Sequence, residues 1–585
     1  MPCCDCGSTE KRGHSHRRQQ LRSHSCLYRP ARVLLLLTAL VFGIQVLLTV
    51  GGFLRGGSGP LALGIDSPSS PDEDWSRAAA GVDEVDVAVA ARAHRAAVTQ
   101  WSRGRAARAS NMNERRSYEL PSLDAVLADR DVRRAFVGRR KALCGGAFEG
   151  FAGHFARLRG VVLDSAFASG KRAGGEPLSA VLEQSASVEY LTLRYGFFAL
   201  ENCTTAEHNG THLTYSFDKK NHLREYLNVL RPVDSASSTS VPQTVLHTFE
   251  WNRTAVLLTR NDYANLFQTT ADWYDVFLMM LLFQLWHDQL DVLLLDSHPA
   301  GLLDPVWQTL WPNVYRFTNR TLFARPVRFR ELLWLQQGYS SPINTNVFKR
   351  FPFIEEFRRF FLARHNVPHI YAYRNLTHCH RESLGILRNL SSSSGNNGMC
   401  VTLPSFCTAP YILVLLRRDY VAHPRNPSGH VSRKVANEEE VLRALRKTLP
   451  DARVERFVPT ELTMREQLER VARADVLLGM HGAGHTLGFF LPPHAALIEL
   501  FPTYYQLHQS HFAMLAAARG LVHLAWTNRE PLLDDGAAAT TWLPEPVVGA
   551  LVRNVTARMC APFLPRPPTN SSIVQAPFWM KMKVH

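Results

Sequence analysis

One stretch of this chain is suited to little except crossing a lipid bilayer. Val33–Leu54 is apolar apart from Thr38, Gln45, Thr49 and a few glycines, and its 22 residues are enough to span as a helix. Lys11, Arg12, Arg17, Arg18, Arg22, Arg29 and Arg32 precede it. By the positive-inside rule that end stays cytoplasmic and everything after the span is lumenal. A cleaved signal peptide is the rival reading, but both the apolar run and its basic lead are long for one. Val276–Trp286 is interrupted by Gln284 and followed by His287 and Asp288, so it reads as a buried helix.

The remaining composition agrees with a lumenal body. N-x-S/T tripeptides, the acceptor pattern for N-glycosylation, begin at Asn202, Asn209, Asn252, Asn319, Asn375, Asn389, Asn554 and Asn570. Six of the ten cysteines (Cys144, Cys203, Cys379, Cys400, Cys407 and Cys560) lie past the span, an even set that permits three disulfides of undetermined pairing. Cys3, Cys4, Cys6 and Cys26 lie on the cytoplasmic side, with no second ligand pair nearby to suggest zinc. The formal charge of +15 is not gathered into a basic helix or a nucleic-acid motif, so no nucleic-acid partner is expected.

Along the chain the expected plan is a cytoplasmic tail (1–32), a signal anchor (33–54), a stem (55–135), two α/β units (136–400 and 405–535) and a C-terminal tail (536–585). Gly56–Asp74 is rich in Gly, Ser, Pro and acids, and Ala78–Ala107 in Ala and Arg; neither holds enough large apolar residues for a core. Thr254–Leu258, Val292–Leu295, Tyr411–Leu416 and Val476–Leu478 read as buried strands. Tyr274–Gln289, Asn437–Leu449 and Leu462–Arg473 read as helices, an alternation that predicts parallel sheets with helical crossovers. Ser391–Pro404 reads as a linker, and two Rossmann-like units facing a cleft form the architecture called GT-B.

Three segments carry chemistry. Gly479-Met480-His481-Gly482-Ala483-Gly484 follows a strand, where glycines let backbone N–H groups approach a phosphate. Glu499 ends the next strand-like run, where a carboxylate can accept from ribose hydroxyls or simply face solvent. Leu416-Arg417-Arg418-Asp419-Tyr420, continuing through Arg425 and Arg433 to Asn437, puts guanidinium groups at a strand's end. They suit a diphosphate, although a solvated basic loop has the same pattern. Arg260–Tyr274 opens a helix; Asp272 there is a possible base, with Trp273 and Tyr274 as sugar-stacking rings, unless this is a capped helix with core aromatics. No D-x-D sits after a strand, since Asp534-Asp535 and Asp72-Glu73-Asp74 lack that setting.

These segments, in this order, resemble the plant-type β-1,2-xylosyltransferases of N-glycans and their wider family, which includes EGF-domain O-GlcNAc and O-mannose GlcNAc transferases. The matching stretches are Thr259–Tyr274, Val292–His298, Phe329–Lys349, Arg417–Leu442, Met464–Glu499 and His511–Gly520. The resemblance implies a GT-B fold and inverting transfer of xylose from UDP-α-xylose to the 2-hydroxyl of the core mannose, in the Golgi. It implies Arg417 or Arg418, with Arg433 and Asn437, around the diphosphate. It further implies His481, Gly482, Ala483 and Gly484 along the donor pocket, Glu499 on the ribose, and Asn265, Gln268 and Trp273 on the acceptor side. Asp272 is the expected base, with His481 second. Positioned arginines would neutralise the leaving group, so no cofactor or divalent metal is expected. The family pattern has a histidine where this chain has Gln268, and an apolar residue where it has His485. A GlcNAc transferase of the same family, or an inactive sugar-binding homologue, are the alternatives.

Overall fold

The computed structural model describes residues 118–132, 140–151, 155–170, 173–204, 222–233, 248–319, 321–335, 341–343, 351–368, 375–378, 401–505 and 511–563. All lie in the compact unit 88–585; the other unit, 1–87, which contains the expected tail and anchor, lies outside the described residues. So do the expected linker up to Cys400 and the tripeptides at Asn209, Asn389 and Asn570. Among the described residues no helix is long and apolar enough to cross a membrane.

The chain enters at α1 (Leu123–Ala128), capped by Ser122, whose hydroxyl accepts from Ala125 N–H. Tyr118 and Val126 are buried, and the Tyr118 hydroxyl bonds His287 Nδ1 at 2.7 Å. The end of the expected stem is therefore part of the folded body: Tyr118, before the helix, and Val126, within it, enter the core, which mean composition does not reveal.

The first sheet is mixed. Its nine strands are β1 (Arg140–Leu143), β2 (Phe148–Phe151), β3 (Phe155–Leu163), β4 (Phe198–Glu201), β5 (Leu230–Val233), β6 (Phe249–Leu258), β7 (Leu290–Leu294), β8 (Val314–Arg316) and β9 (Val327–Leu335). The order is β1-β2-β3-β9-β6-β7-β8, with β4 on β3 and β5 on β4. Strands β9, β6, β7 and β8 run parallel, and the β1–β2–β3 meander meets β9 antiparallel. α2 (His222–Asn228) precedes β5.

The crossover α3 (Leu266–Phe283) follows β6 and is buried from Thr269 through Leu281 on every side. A helix apolar all round belongs in the middle of a protein. It starts at Asn265, whose side chain accepts from Phe267 and Gln268 N–H, and stops at left-handed Gln284. α4 (Asp304–Leu310) and α5 (Ile354–Arg364) complete this half.

The second sheet is wholly parallel: β10 (Tyr411–Leu415), β11 (Arg453–Phe457), β12 (Val476–Met480), β13 (Ala496–Phe501) and β14 (Val522–Thr527), in the order β11-β10-β12-β13-β14. Its crossovers are α6 (Glu438–Thr448), α7 (Met464–Val471), a 3₁₀ segment (Ala483–Phe490) and α8 (His511–Arg519). α7 opens with a full capping box, Thr463 and Glu466 bonding each other's backbone N–H.

Two features depart from the sequence reading. The expected C-terminal tail contains α9 (Glu545–Cys560), which buries Val548, Leu551, Val552, Val555 and Met559 against the second half and is tied to it by the Cys407–Cys560 disulfide. Its apolar residues recur at three- and four-residue intervals, a helical stripe diluted by Gly, Ala, Arg and Asn. The second departure is a shared core. α3 and α5 of the first half pack on the 3₁₀ segment and α8 of the second, so one apolar cluster runs through both halves. Cys144–Cys203 is the other disulfide among the described residues; Cys379 and Cys400 lie outside them.

Candidate functional site

The strand order of the second sheet directs attention to one place. Its chain-order pattern is 2-1-3-4-5, so the connections diverge between the first strand, β10, and the third, β12. In such sheets ligands bind outside the carboxyl ends of the strands at that point. Arg417 lies two residues past β10, and His481-Gly482 directly follows β12.

The two segments are built for close contact. One terminal nitrogen of Arg417 donates to the His481 carbonyl at 3.2 Å. A Cβ at Gly482 would stand 1.7 Å from that nitrogen, so only glycine lets the guanidinium lie across the turn. Arg433 approaches from the loop after Arg417, its backbone left-handed (φ 62°) and its guanidinium 4.9 Å over the Tyr505 ring. A non-glycine residue held there stores strain that its surroundings must enforce.

Neither arginine is paired with a carboxylate among the described residues, and the Nε of each is buried without a hydrogen-bond partner. Burial and the facing charge of Arg433 push Arg417 down to about 10. Two half-buried cations, at least one of which feels the other's charge, suit an anionic ligand. Arg418 differs: Glu438 holds its guanidinium in a two-pronged ion pair, one arm at 2.7 Å.

A cleft of about 630 Å³ opens beside these groups and is lined from both halves. Arg417, Arg418, Ala483 and Gly484 contribute from the second, and Ala264, Leu266 and Leu302 from the first. Ala264 and Leu266 flank Asn265, so the positive end of the α3 dipole also borders the cleft.

Next to Arg417, His481 is mostly buried and packed among Phe501, Tyr505 and Phe512, with centroids 4.9, 4.8 and 5.6 Å away. Its Nδ1 faces Glu499 Oε1, while His523 Nε2 lies 3.1 Å from Glu499 Oε2. Burial alone would raise the Glu499 carboxyl, but the bonds from the two histidines hold it well below the usual carboxylate range. An ionised carboxylate only accepts, so His481 Nδ1–H donates and Nε2 is left as the basic atom. His511 stacks on Phe267 of α3 at 4.9 Å, joining the halves; burial, then nearby His481, pushes its imidazole down.

Several expected site residues are placed elsewhere. Trp273 is 0% exposed, wedged between Trp307 and Phe361, so no ring face is left for a sugar. Asp272 is 1% exposed on the buried middle of α3 and cannot touch a hydroxyl in the cleft in this conformation. Tyr274 is likewise core, its hydroxyl donating to the Pro352 carbonyl. Asn265 caps α3, and Gln268 sits half-buried on the first turn. Asn437 is buried, its amide joined to both Leu543 N–H and C=O at 2.9 and 3.0 Å; it anchors the chain before α9 rather than a donor. Glu499, 0% exposed, serves two histidines and presents no face to a ribose.

The sequence reading missed His511, His523 and Tyr505 as neighbours of His481. The only signal was their polarity beside strand ends. It also missed the buried ion cluster under the α3 loop. Arg260 meets Asp296 at 2.7 Å and Asp304 at 2.7 Å, Arg316 meets Asp304, and His298 meets Glu189 at 2.7 Å. The second half reaches this loop too, with His423 Nε2 3.4 Å from Asp262. Among the described residues no group of three His, Cys, Asp or Glu side chains converges as a metal ion requires.

Comparison with known proteins agrees with this geometry. The family Glycosyltransferase 61 matches residues 256–498, from β6 into β13, the fourth strand of the parallel sheet. A β-1,2-xylosyltransferase of Oryza sativa subsp. japonica is 28% identical over 291 residues, 49% of this chain and 51% of that protein. The β-1,2-xylosyltransferase of Arabidopsis thaliana is 27% identical over 315 residues, 48% of this chain and 54% of that protein. An EGF domain-specific O-linked N-acetylglucosamine transferase of Gallus gallus is 35% identical over 99 residues, 17% of this chain and 18% of that protein. The chain thus spans about half the length of the first two relatives. The matched region holds Arg417, Arg433, His481 and Gly482, and over residues 256–498 the chain is similar to the Glycosyltransferase 61 family.

Proposed function

We propose that this chain is an inverting glycosyltransferase of GT-B type that moves xylose from UDP-α-xylose to the 2-hydroxyl of the core β-mannose of N-glycans, in the Golgi lumen. The observation that carries the reading is the Arg417–Arg433 pair at the switch point of the parallel sheet, two half-buried guanidinium groups without carboxylate partners among the described residues. The names of the two longer matches favour xylose and its β-1,2 linkage.

In this reading the diphosphate lies against Arg417 and Arg433 with its sugar toward the cleft. As the acceptor oxygen attacks the anomeric carbon, the glycosidic bond to UDP breaks and negative charge gathers on the β-phosphate. The two guanidinium groups and the turn at Gly482 stabilise that charge without reorganising, and this is where a divalent ion would otherwise act. His481 Nε2 takes the hydroxyl proton, with Glu499 steadying the imidazolium. The buried position of Asp272 favours His481 over it as the base.

A second reading, transfer of N-acetylglucosamine to protein O-glycans, is favoured by the higher identity of the short match to the EGF-domain enzyme. One assay separates them: full-length protein with UDP-xylose or UDP-N-acetylglucosamine, a mannose-core N-glycan or a folded EGF domain, and excess EDTA. Xylose transfer to the N-glycan that survives EDTA is expected. Transfer of N-acetylglucosamine alone selects the second reading, and binding of UDP-sugars without transfer sinks both.

A further inference from the structure

A second pocket, of about 640 Å³, lies in the first half at the carboxyl ends of β6 and β7. Tyr190, Glu225, Tyr226, Asn228, Thr259 and Asn261 supply its polar groups. Its volume falls within the roughly 300–1,000 Å³ of small-ligand sites. It differs in chemistry from the cleft beside Arg417: no lysine or arginine is among its described lining residues, so nothing there recognises a phosphate. Instead it combines the half-buried Tyr190 ring with amide groups and the exposed Glu225 carboxylate, over a floor formed by the buried Tyr226 and Thr259. Apolar ring surface beside amide groups and a carboxylate that accepts from hydroxyls suits a ligand with C–H faces and many hydroxyls.

Its walls are built rather than accidental. The Tyr190 hydroxyl donates to the Asn261 carbonyl at 2.9 Å, and the Tyr226 and Thr259 hydroxyls bond each other at 2.7 Å while Thr259 donates to Leu295 at 3.0 Å. These bonds rigidify the loop leaving β6. The buried Arg260–Asp296 pair fixes the same loop from below. Glu225 and Asn228 stay exposed at the mouth.

The pocket also has a position that gives it a use. Asn261 lines it, and Ala264, three residues on, lines the cleft beside Arg417. Three residues reach at most about 11 Å. One loop therefore separates the two spaces, a span that an oligosaccharide of a few units covers. We propose that this pocket is an acceptor subsite: it holds a neutral saccharide unit away from the reacting one and so directs the acceptor into the cleft. The proposal rests on the transferase reading for what happens in the cleft, but not for the binding itself.

Asn228→Trp, at an exposed position, fills the pocket without touching the core, and Glu225→Gln removes its charge. In full-length protein assayed with a mannose-core N-glycan, both raise the acceptor KM, Asn228→Trp by at least tenfold. The UDP-sugar KM stays within twofold. Binding of the same glycan is followed in parallel by saturation-transfer NMR, without donor. An acceptor KM within twofold of wild type in both variants, or donor and acceptor KM rising together, overturns the subsite and leaves the transferase reading standing. A wild type that transfers nothing yet binds the glycan, with the signal lost in Asn228→Trp, sinks the transferase reading and supports the subsite. A wild type that gives no glycan signal overturns the subsite.

Discussion

At the scale of single residues the site depends on one missing side chain. Gly482 has no Cβ because Arg417 occupies that space. Gly482→Ala pushes the guanidinium off the turn and away from Arg433. Isothermal titration of UDP should show affinity falling at least tenfold, with an unchanged far-UV spectrum, because the added Cβ meets only the movable end of the Arg417 side chain and no backbone. His485 makes a different prediction. It is completely buried and burial holds it down to about 4, against 6.5 when exposed. The folded state keeps it neutral while the unfolded chain protonates it, so stability present above pH 6.5 is lost as pH falls toward 4. At about 1.4 kcal/mol per unit, the loss reaches about 2 kcal/mol at pH 5. Chemical denaturation at pH 7 and pH 5 should show His485→Leu losing about 2 kcal/mol less than wild type between the two; equal losses sink the assignment. Arg417 and Gly482 stood out in the sequence because each follows a strand end, although a solvated basic loop or an ordinary glycine turn shows the same pattern; only the fold brings the two together. Asp272, Trp273 and Asn437 were misread because a residue type says nothing about which face of a helix is buried.

At the scale of elements, strands and crossovers followed from pattern where one period dominated. Tyr411–Leu415 and Val476–Met480 are continuous apolar runs with turn residues at both ends, and they became central parallel strands. α9 was missed because its stripe is interleaved with Gly549, Arg553 and Asn554, and because a disulfide that no spacing rule reveals holds it. That disulfide closes a loop of 153 residues between α9 and the strand-start segment at Cys407. In the chain-entropy model such a loop confers about 5 kcal/mol. Cys407→Ser with Cys560→Ser should lower the unfolding free energy measured in denaturant by that order and make the 540–563 region the first to exchange amide hydrogens. A double variant as stable as wild type would mean that the Val548–Met559 stripe suffices alone.

At the scale of the whole molecule, the shared core changes what ligand binding can do. The sequence suggested two units joined by a linker, whereas α3 and α5 bury their apolar faces against the 3₁₀ segment and α8 of the other half. Separate modules would melt separately, but halves that share Phe267, Phe361, Phe489 and Phe512 in one cluster should unfold as one. UDP bound at Arg417 and Arg433, as proposed, would therefore stabilise both halves. With UDP at 100 times its Kd the gain is about 2.7 kcal/mol. For a body of roughly 450 residues, unfolding entropy near 2 cal/mol/K per residue turns that into a Tm rise of about 3 °C. Differential scanning calorimetry at saturating UDP should show a single peak moving upward, and Arg433→Ala should abolish the shift while leaving the ligand-free peak within a degree. Arg433 has no ion pair among the described residues to lose, and its removal relieves repulsion on Arg417 while alanine keeps the same left-handed backbone. Two peaks, only one of them moved by UDP, would mean that the halves are thermodynamically separate and that the common core does not couple them.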